Sequence, residues 1–262
     1  MKNKTKNIIY VILVLIVGIL LYLNHNNVSS FINNLVNSFN RTLIDENRYQ
    51  IFLKGLSSTV IISVLSIIIG TILGLVLFLF GRKRKSINKI TTGIIRLLQG
   101  IPITVLLLIF YYVIFGAVDI NPIIVAVITF SIYFSAYAAE LFKGAYASIN
   151  KNQIYSAYSL GFSKTQTLRY IILPQVLSYM IPVYKNEIVS LIKLTSIASY
   201  ISIIDLTKAS DIVRNRTYEA FFPLIFTALV YFLICFLLSK ILDFIYKKIN
   251  PRRLAKWKKM LY

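Results

Sequence analysis

One cysteine, one histidine and 9 acidic residues are scattered through a chain of 262 residues that has 29 lysines and arginines. Each scarcity removes a class of function. A lone cysteine supports neither an intrachain disulfide nor a metal site, and Cys235, set among Phe and Leu, reads as a small apolar filler. His25, the one histidine, lies in an asparagine-rich stretch and reads as a solvated side chain, which leaves histidine-based acid–base chemistry without a site. There is no Gly-x-x-x-x-Gly-Lys phosphate loop, no Gly-x-Ser-x-Gly elbow and no Cys or His pair at metal spacing. No catalytic residue, metal ligand or cofactor is expected on this chain.

What is abundant is apolar surface and positive charge: 57% hydrophobic residues and a formal net charge of +20. A nucleic-acid binder would need its basic residues on one accessible surface. Here they gather at the edges of long hydrophobic runs, so nucleic acid is excluded as a partner and membrane lipid is expected. A membrane span needs roughly 20 mostly apolar residues. Runs near that length fall at residues 8–23, 56–80, 102–118, 122–142, 171–199 and 220–246. They predict an all-α, polytopic membrane protein with six transmembrane helices. Lys2, Lys4 and Lys6, the cluster Arg82–Arg96, Lys143–Arg169 and the tail from Lys247 to Lys259 occupy alternate loops. By the positive-inside bias these are cytoplasmic, as are both termini. The opposite loops mix Arg41 and Arg48 with Asp45 and Glu46, and Arg214 and Arg216 with Asp205, Asp211 and Glu219. The first run also has the basic start of a signal peptide, but Tyr22-Leu23-Asn24-His25-Asn26 is a poor cleavage site, so an uncleaved span is expected. Residues 24–50 are too short for a domain and read as an external linker or a surface helix.

Between the fourth and fifth runs lies a polar stretch, Tyr155-Ser156-Ala157-Tyr158-Ser159-Leu160-Gly161-Phe162-Ser163, leading to Ile172-Leu173-Pro174-Gln175. Gly161 suits the left-handed end of a helix, and Ser163 with Gln166 reads as a capping box that starts another. That second helix is expected to stop near Leu173, because the residue before a proline disfavours helical angles. Pro174 then suits the first turn of the next span. The result is a helix–turn–helix knob on one membrane face, with an ordinary punctuated loop as the plainer alternative. The Ala, Leu-Gly and Ile-x-Leu-Pro spacing resembles the coupling loop of ABC importer permeases, which docks into an ATPase subunit. Tyr155, Ser156 and Ala157 stand where that family usually has Glu-Ala-Ala, and Leu160, Gly161, Leu173 and Pro174 match it.

Three further stretches resemble permeases that import polar amino acids. Ile95–Thr104 is similar to their Arg-Gly-Thr-Pro stretch, with Gln99, Gly100 and Pro102 at the point where a helix breaks on entering the membrane. Such a break survives only in a protein-lined or watery surrounding, and it reads either as lining of the transport path or as a kink. Ala136–Gly144 is similar to an Ala-Tyr-x-x-Glu-x-x-Arg-Gly run; it puts Tyr133 and Tyr137 on one helix face and Glu140 within reach of Lys143, where an ion pair is expected. Pro182–Ser196 is similar to an Asn-x-x-x-x-Leu-x-Lys-x-Thr-Ser run. Tyr179, Pro182, Asn186, Ser190 and Lys193 form one polar stripe at helical spacing, with Glu187 about a quarter turn away. An ionisable group at the centre of a span costs roughly 2.5–3.5 kcal/mol, so it carries a partner or a task. The stripe lines a substrate path or pairs helices across a dimer.

Jointly the four stretches identify a resemblance to the permease subunit of a polar amino-acid ABC importer. It implies a first helix (1–23) added to a five-helix core, an extracytoplasmic linker (24–50), a permease domain (51–246) with its coupling loop at 152–170, and a basic cytoplasmic tail (247–262). The implied partners are cytoplasmic ATPase subunits, a second permease subunit of the same or another chain, and an external amino-acid-binding protein. Asn186-Glu187 resembles the branch that carries basic amino acids. Neutral polar substrates such as glutamine or cystine, and a scaffold or channel uncoupled from ATP, are the alternatives.

Overall fold

A computed structural model describes residues 25–249, and among them every regular element is a helix. The first hydrophobic run, its leading lysines and the tail beyond residue 249 lie outside the described residues. Helix α1 (His25–Phe39) leads through a π turn and a short 3-10 turn into α2 (Tyr49–Gly81). Next come α3 (Lys85–Gly100), α4 (Ile103–Leu108, running on through a π-helical stretch to Ile114) and α5 (Pro122–Ala147). The knob holds α6 (Lys151–Ser159) and α7 (Lys164–Thr167), followed by α8 (Leu173–Leu194). A 3-10 turn at Thr195–Ile201, α9 (Leu206–Thr217) and α10 (Phe221–Ile249) complete the order.

Among the described residues three helices, α2, α5 and α10, are long and apolar enough to cross a membrane; counting two bent pairs as one span each gives five. One pair is α3 with α4, bent by 98°, and the other joins the segment from α7 through the 3-10 turn to α9, bent by 55°. The run at 102–118 is therefore not a straight span: its helix covers only residues 103–114 and hangs from α3 across the Ile101–Pro102 break. Both residues there are extended (ψ 127° and 131°), because the ring of Pro102 disfavours helical angles at Ile101. Helix α9 was not foreseen, since residues 206–217 are polar on average. Its apolar side is narrow (Leu206, Ala209, Val213), and it is capped by Asp205, whose carboxylate accepts the Thr207 and Lys208 N–H groups at 3.2 and 3.0 Å.

The spine of the molecule is the α2–α5 interface. The buried side of α2 carries Ser63, Ser66, Gly70 and Gly74, and that of α5 carries Ser131, Ser135, Ala138 and Ala139. A Cβ placed on Gly70 would lie 2.8 Å from the Ser131 carbonyl oxygen, and one on Gly74 2.6 Å from Ala138 Cβ. With lipid as apolar as the helices themselves, close backbone approach of this kind is what drives association. Ser63 donates back to the Thr59 carbonyl and Ser131 to the Val127 carbonyl of their own helices, both at 2.6 Å, while the Ser66 hydroxyl donates across the seam to the Val127 carbonyl at 3.4 Å. Around this spine Ile62, Leu107, Phe130, Phe134 and Leu191 close the main core from α2, α4, α5 and α8.

The two helices run parallel. At one end Arg82 meets Tyr146; at the other, Arg41 and Glu219 pair at 3.3 Å across 178 residues of sequence. The basic loops after α2 and α5 thus share one end of the bundle, and the mixed-charge segments share the other.

Candidate coupling knob and substrate cavity

The knob is fixed by local hydrogen bonds. Asn150 caps α6 by accepting the Asn152 N–H at 2.9 Å. At its far end the Phe162 N–H donates to the Ala157 carbonyl and the Gly161 N–H to the Tyr158 carbonyl, both at 3.0 Å. This is a Schellman motif, and Gly161 occupies its left-handed position at φ +81°. The Ser163/Gln166 capping box forms reciprocally, at 2.8 and 3.2 Å. The helix does not stop near Leu173, however: Ile172 and Leu173 are both helical. A widened π turn at Leu168–Ile172 gives the Pro174 ring room without ending the helix. Gln175 Nε2 then donates to the Ile171 carbonyl at 2.9 Å and to Gln153 Oε1 at 2.8 Å, latching α6 to α8.

Beneath the knob, Ala145, Ile149, Ile172, Val176 and Met180 form a small core of their own. Ala157 is buried, whereas Tyr155 is 62% and Leu160 77% exposed, and Ser156 also faces outward. Leu173 is half exposed and Pro174 exposed at the root of α8. A rigid base thus presents an exposed tip of Tyr155, Tyr158 and Leu160 interleaved with serines.

The second candidate is a cavity of about 70 Å³ between α5 and α8, lined by Tyr133, Tyr137, Glu187, Ser190 and neighbouring apolar side chains. The Tyr133 and Tyr137 hydroxyls share a hydrogen bond at 2.9 Å. Among the sequence-selected residues it brings together Tyr137, Glu187 and Ser190. Lys193 points elsewhere, into a separate cavity of about 500 Å³ with Tyr231 and Cys235 against α10. Asn186 is exposed, as are Tyr179, Pro182 and Ser190 along the same stripe, so one polar side of α8 stands uncovered. Pro182 sits inside α8 without ending it. Ligand pockets usually enclose roughly 300–1,000 Å³; the Glu187 niche is far smaller, and a further wall is needed to enclose a substrate.

Gln99, Gly100 and Pro102 sit at the α3–α4 break and do not line that niche. Gln99 Nε2 donates to Glu140 Oε2 at 2.8 Å. This corrects the expected Glu140–Lys143 pair: Glu140 is held from the neighbouring helix, and Lys143 Nζ reaches Thr92 Oγ1 at 3.4 Å. The bend of α3 brings Gln99 closer to Glu140 than a lysine on Glu140's own helix.

Sequence reasoning missed the ion pair that ties α8 to α10, Lys185 Nζ to Asp243 Oδ1 at 2.7 Å. Its signal was present: a base in one mostly apolar run and an acid in another. The hydrogen bond between Thr71 and Tyr184, from α2 to α8, carried no such sign.

Comparison with known proteins places these features. The family described as binding-protein-dependent transport system inner membrane component matches residues 66–254. The chain is 32% identical over 212 residues to the probable amino-acid ABC transporter permease protein YckA of Bacillus subtilis (strain 168), covering 80% of this chain and 93% of that protein. It is also 32% identical over 212 residues to the L-cystine transport system permease protein TcyB of the same organism, covering 79% and 90%. Its fold resembles a chain in the crystal structure of an amino acid ABC transporter with histidines, with a TM-score of 0.69 and 30% identity over 76% of this chain and 94% of that one.

Proposed function

From the premise that this chain belongs to the binding-protein-dependent transport system inner membrane component family, we propose how it couples ATP to the movement of its substrate. The protein is a multi-pass permease subunit of a bacterial amino-acid ABC importer, a transport component and not an enzyme. That role implies ATPase and binding-protein partners. Beyond it, the reading has three parts.

First, residues 152–170 dock into the cytoplasmic ATPase subunit through Tyr155, Ser156, Leu160 and Gly161, with Ala157 and the Leu173–Pro174 root as the rigid base. ATP and Mg bind in that partner. The latched knob with its exposed tip is the observation that carries this part, since a stiff base transmits movement to α5 and α8 without being absorbed. Second, two permease subunits pair so that the uncovered stripe of α8 (Asn186, Ser190) faces a shared path, with Gln99, Gly100 and Pro102 at its rim. The small Glu187 niche supports this, because a second subunit supplies the wall it lacks. Lys193 marks the far flank of the same helix. The first run adds a sixth span to a permease domain over 51–246, and both termini are cytoplasmic.

Third, the substrate is a basic amino acid. Glu187, beside Tyr137 and Ser190, offers a half-buried carboxylate to a cationic side chain. A charge-assisted contact of this kind contributes roughly 1.5–3 kcal/mol. In transporter reconstituted with its ATPase and binding protein, Glu187→Gln should therefore lower arginine-dependent ATPase stimulation by roughly tenfold or more, with glutamine as the neutral comparison. An unchanged arginine response removes the basic-substrate reading, and stimulation by cystine or glutamine alone replaces it with a neutral one.

A further inference from the structure

At the basic end of the bundle, α2, α3 and α5 enclose a cavity of about 460 Å³. Arg82, Lys83, Arg84 and Lys85 line it from the α2–α3 corner, and Lys143 lines it from α5. No carboxylate lines it, and none of these five cations forms a salt bridge among the described residues. Three are held in place. Lys83 Nζ lies 4.6 Å from the Phe80 ring centroid. The Arg82 guanidinium lies 3.8 Å from the Tyr146 ring centroid and donates to the Tyr146 hydroxyl at 2.8 Å. Lys143 Nζ donates to Thr92 Oγ1 at 3.4 Å. Such a concentration of like charge repels itself and calls for an anion.

The rest of the cavity says which anion. Asn88, Thr91 and Thr92 add neutral polar groups, and Leu77, Phe78 and Ile95 make an apolar wall. Helix α3, which forms one wall, has two apolar sides. Thr91, Ile95 and Leu98 are buried against the bundle, while Ile90, Ile94 and Leu97 form an exposed stripe at three- and four-residue steps. Lys89 and Arg96 are exposed on its remaining face. A helix so divided, bent 98° from the limb that follows, suits the plane of a membrane interface. A free phosphate gains nothing from the apolar walls; a lipid uses both parts.

We propose that this cavity binds the phosphate headgroup of an anionic phospholipid, with Arg82 and Lys143 at the phosphate and an acyl chain against Leu77, Phe78 and Ile95. Basic pockets between membrane helices are suited to such headgroups. The lipid braces the corner where α2 turns into α3. Nothing in this assignment requires the coupling or substrate readings above.

The test is native mass spectrometry of the full-length permease in detergent, titrated with phosphatidylglycerol, phosphatidylcholine or inorganic phosphate. Phosphatidylglycerol should be retained in preference to phosphatidylcholine. Arg82→Gln with Lys143→Gln should weaken it about twenty-five-fold, at about fivefold per cation. Lys143→Gln alone, which keeps the Arg82–Tyr146 stack, should cost about fivefold. Lys247→Gln with Lys248→Gln, an equal loss of charge at the exposed end of α10, should change little. Equal retention by the pocket double variant, equal loss in the α10 control, or displacement of the lipid by inorganic phosphate would each overturn the proposal.

Discussion

Gly161 shows what one residue decides. Its φ of +81° is a conformation in which a Cβ is crowded by backbone, yet nothing else lies within 4 Å of where that Cβ would stand. Gly161→Ala should therefore cost about 1–2 kcal/mol from backbone strain alone and still leave a recognisable knob. Gly161→Arg adds bulk and charge to the exposed tip. Co-purification with the ATPase subunit separates the two effects: Ala should retain the partner and Arg should lose it. Full retention by Arg would remove the docking role. Gly161 was legible in the sequence because a helix C-terminus is a local event, specified by a few adjacent hydrogen bonds. Glu140 was less so. Its neighbour on the helix, Lys143, was visible in the sequence, but Gln99, 41 residues away, is the partner it bonds.

At the scale of elements, the α2–α5 seam and the α6–α8 latch set the rigidity of the machine. Gly74→Leu would drive a side chain into Ala138 and the Ser135 carbonyl. Overpacking of this kind costs about 1–3 kcal/mol or more, and it should lower the thermal unfolding temperature in detergent. Gly93→Ala is the matched control: its Cβ meets nothing within 4 Å, and exchanging a helical glycine for alanine favours the helix by up to about 1 kcal/mol. The latch is more delicate. Gln175→Leu leaves Gln153 and the Ile171 carbonyl without this donor, at a cost of about 1 kcal/mol. Amide hydrogen exchange in α6 should rise while that in α5 stays unchanged. Equal exchange in both proteins would mean that the latch does not stiffen the knob. The spans over α2, α5 and α10 follow directly from apolar length. The amphipathic α9 did not stand out, because its buried side is only a few small residues pressed against Gly55 and Thr59 of α2; the Leu206 N–H donates to Thr59 Oγ1 at 3.1 Å.

Across the whole molecule, α10 is held mainly by its own apolar contacts and by Lys185–Asp243. Neither charge of that pair is deeply buried: the two side chains are 26% and 45% exposed. Removing one partner leaves the other uncompensated in an apolar setting, whereas removing both does not. The Lys185→Met, Asp243→Leu double variant should thus unfold at a higher temperature than either single variant. A strictly additive result would mean that the contact contributes nothing of its own.

Apolar run length, the distribution of lysine and arginine, and short-range capping determined that this chain is helical, membrane-spanning and armed with a knob between two spans. Those properties need only neighbours within a turn or two. Helical spacing likewise put Asn186, Ser190 and Lys193 on one stripe. Tertiary packing then divided that stripe, with Glu187 and Ser190 beside the tyrosines of α5 and Lys193 toward α10. It also brought Arg82 to Tyr146. A helix face has no partner until another helix is laid against it, and that choice depends on side chains dozens of residues apart.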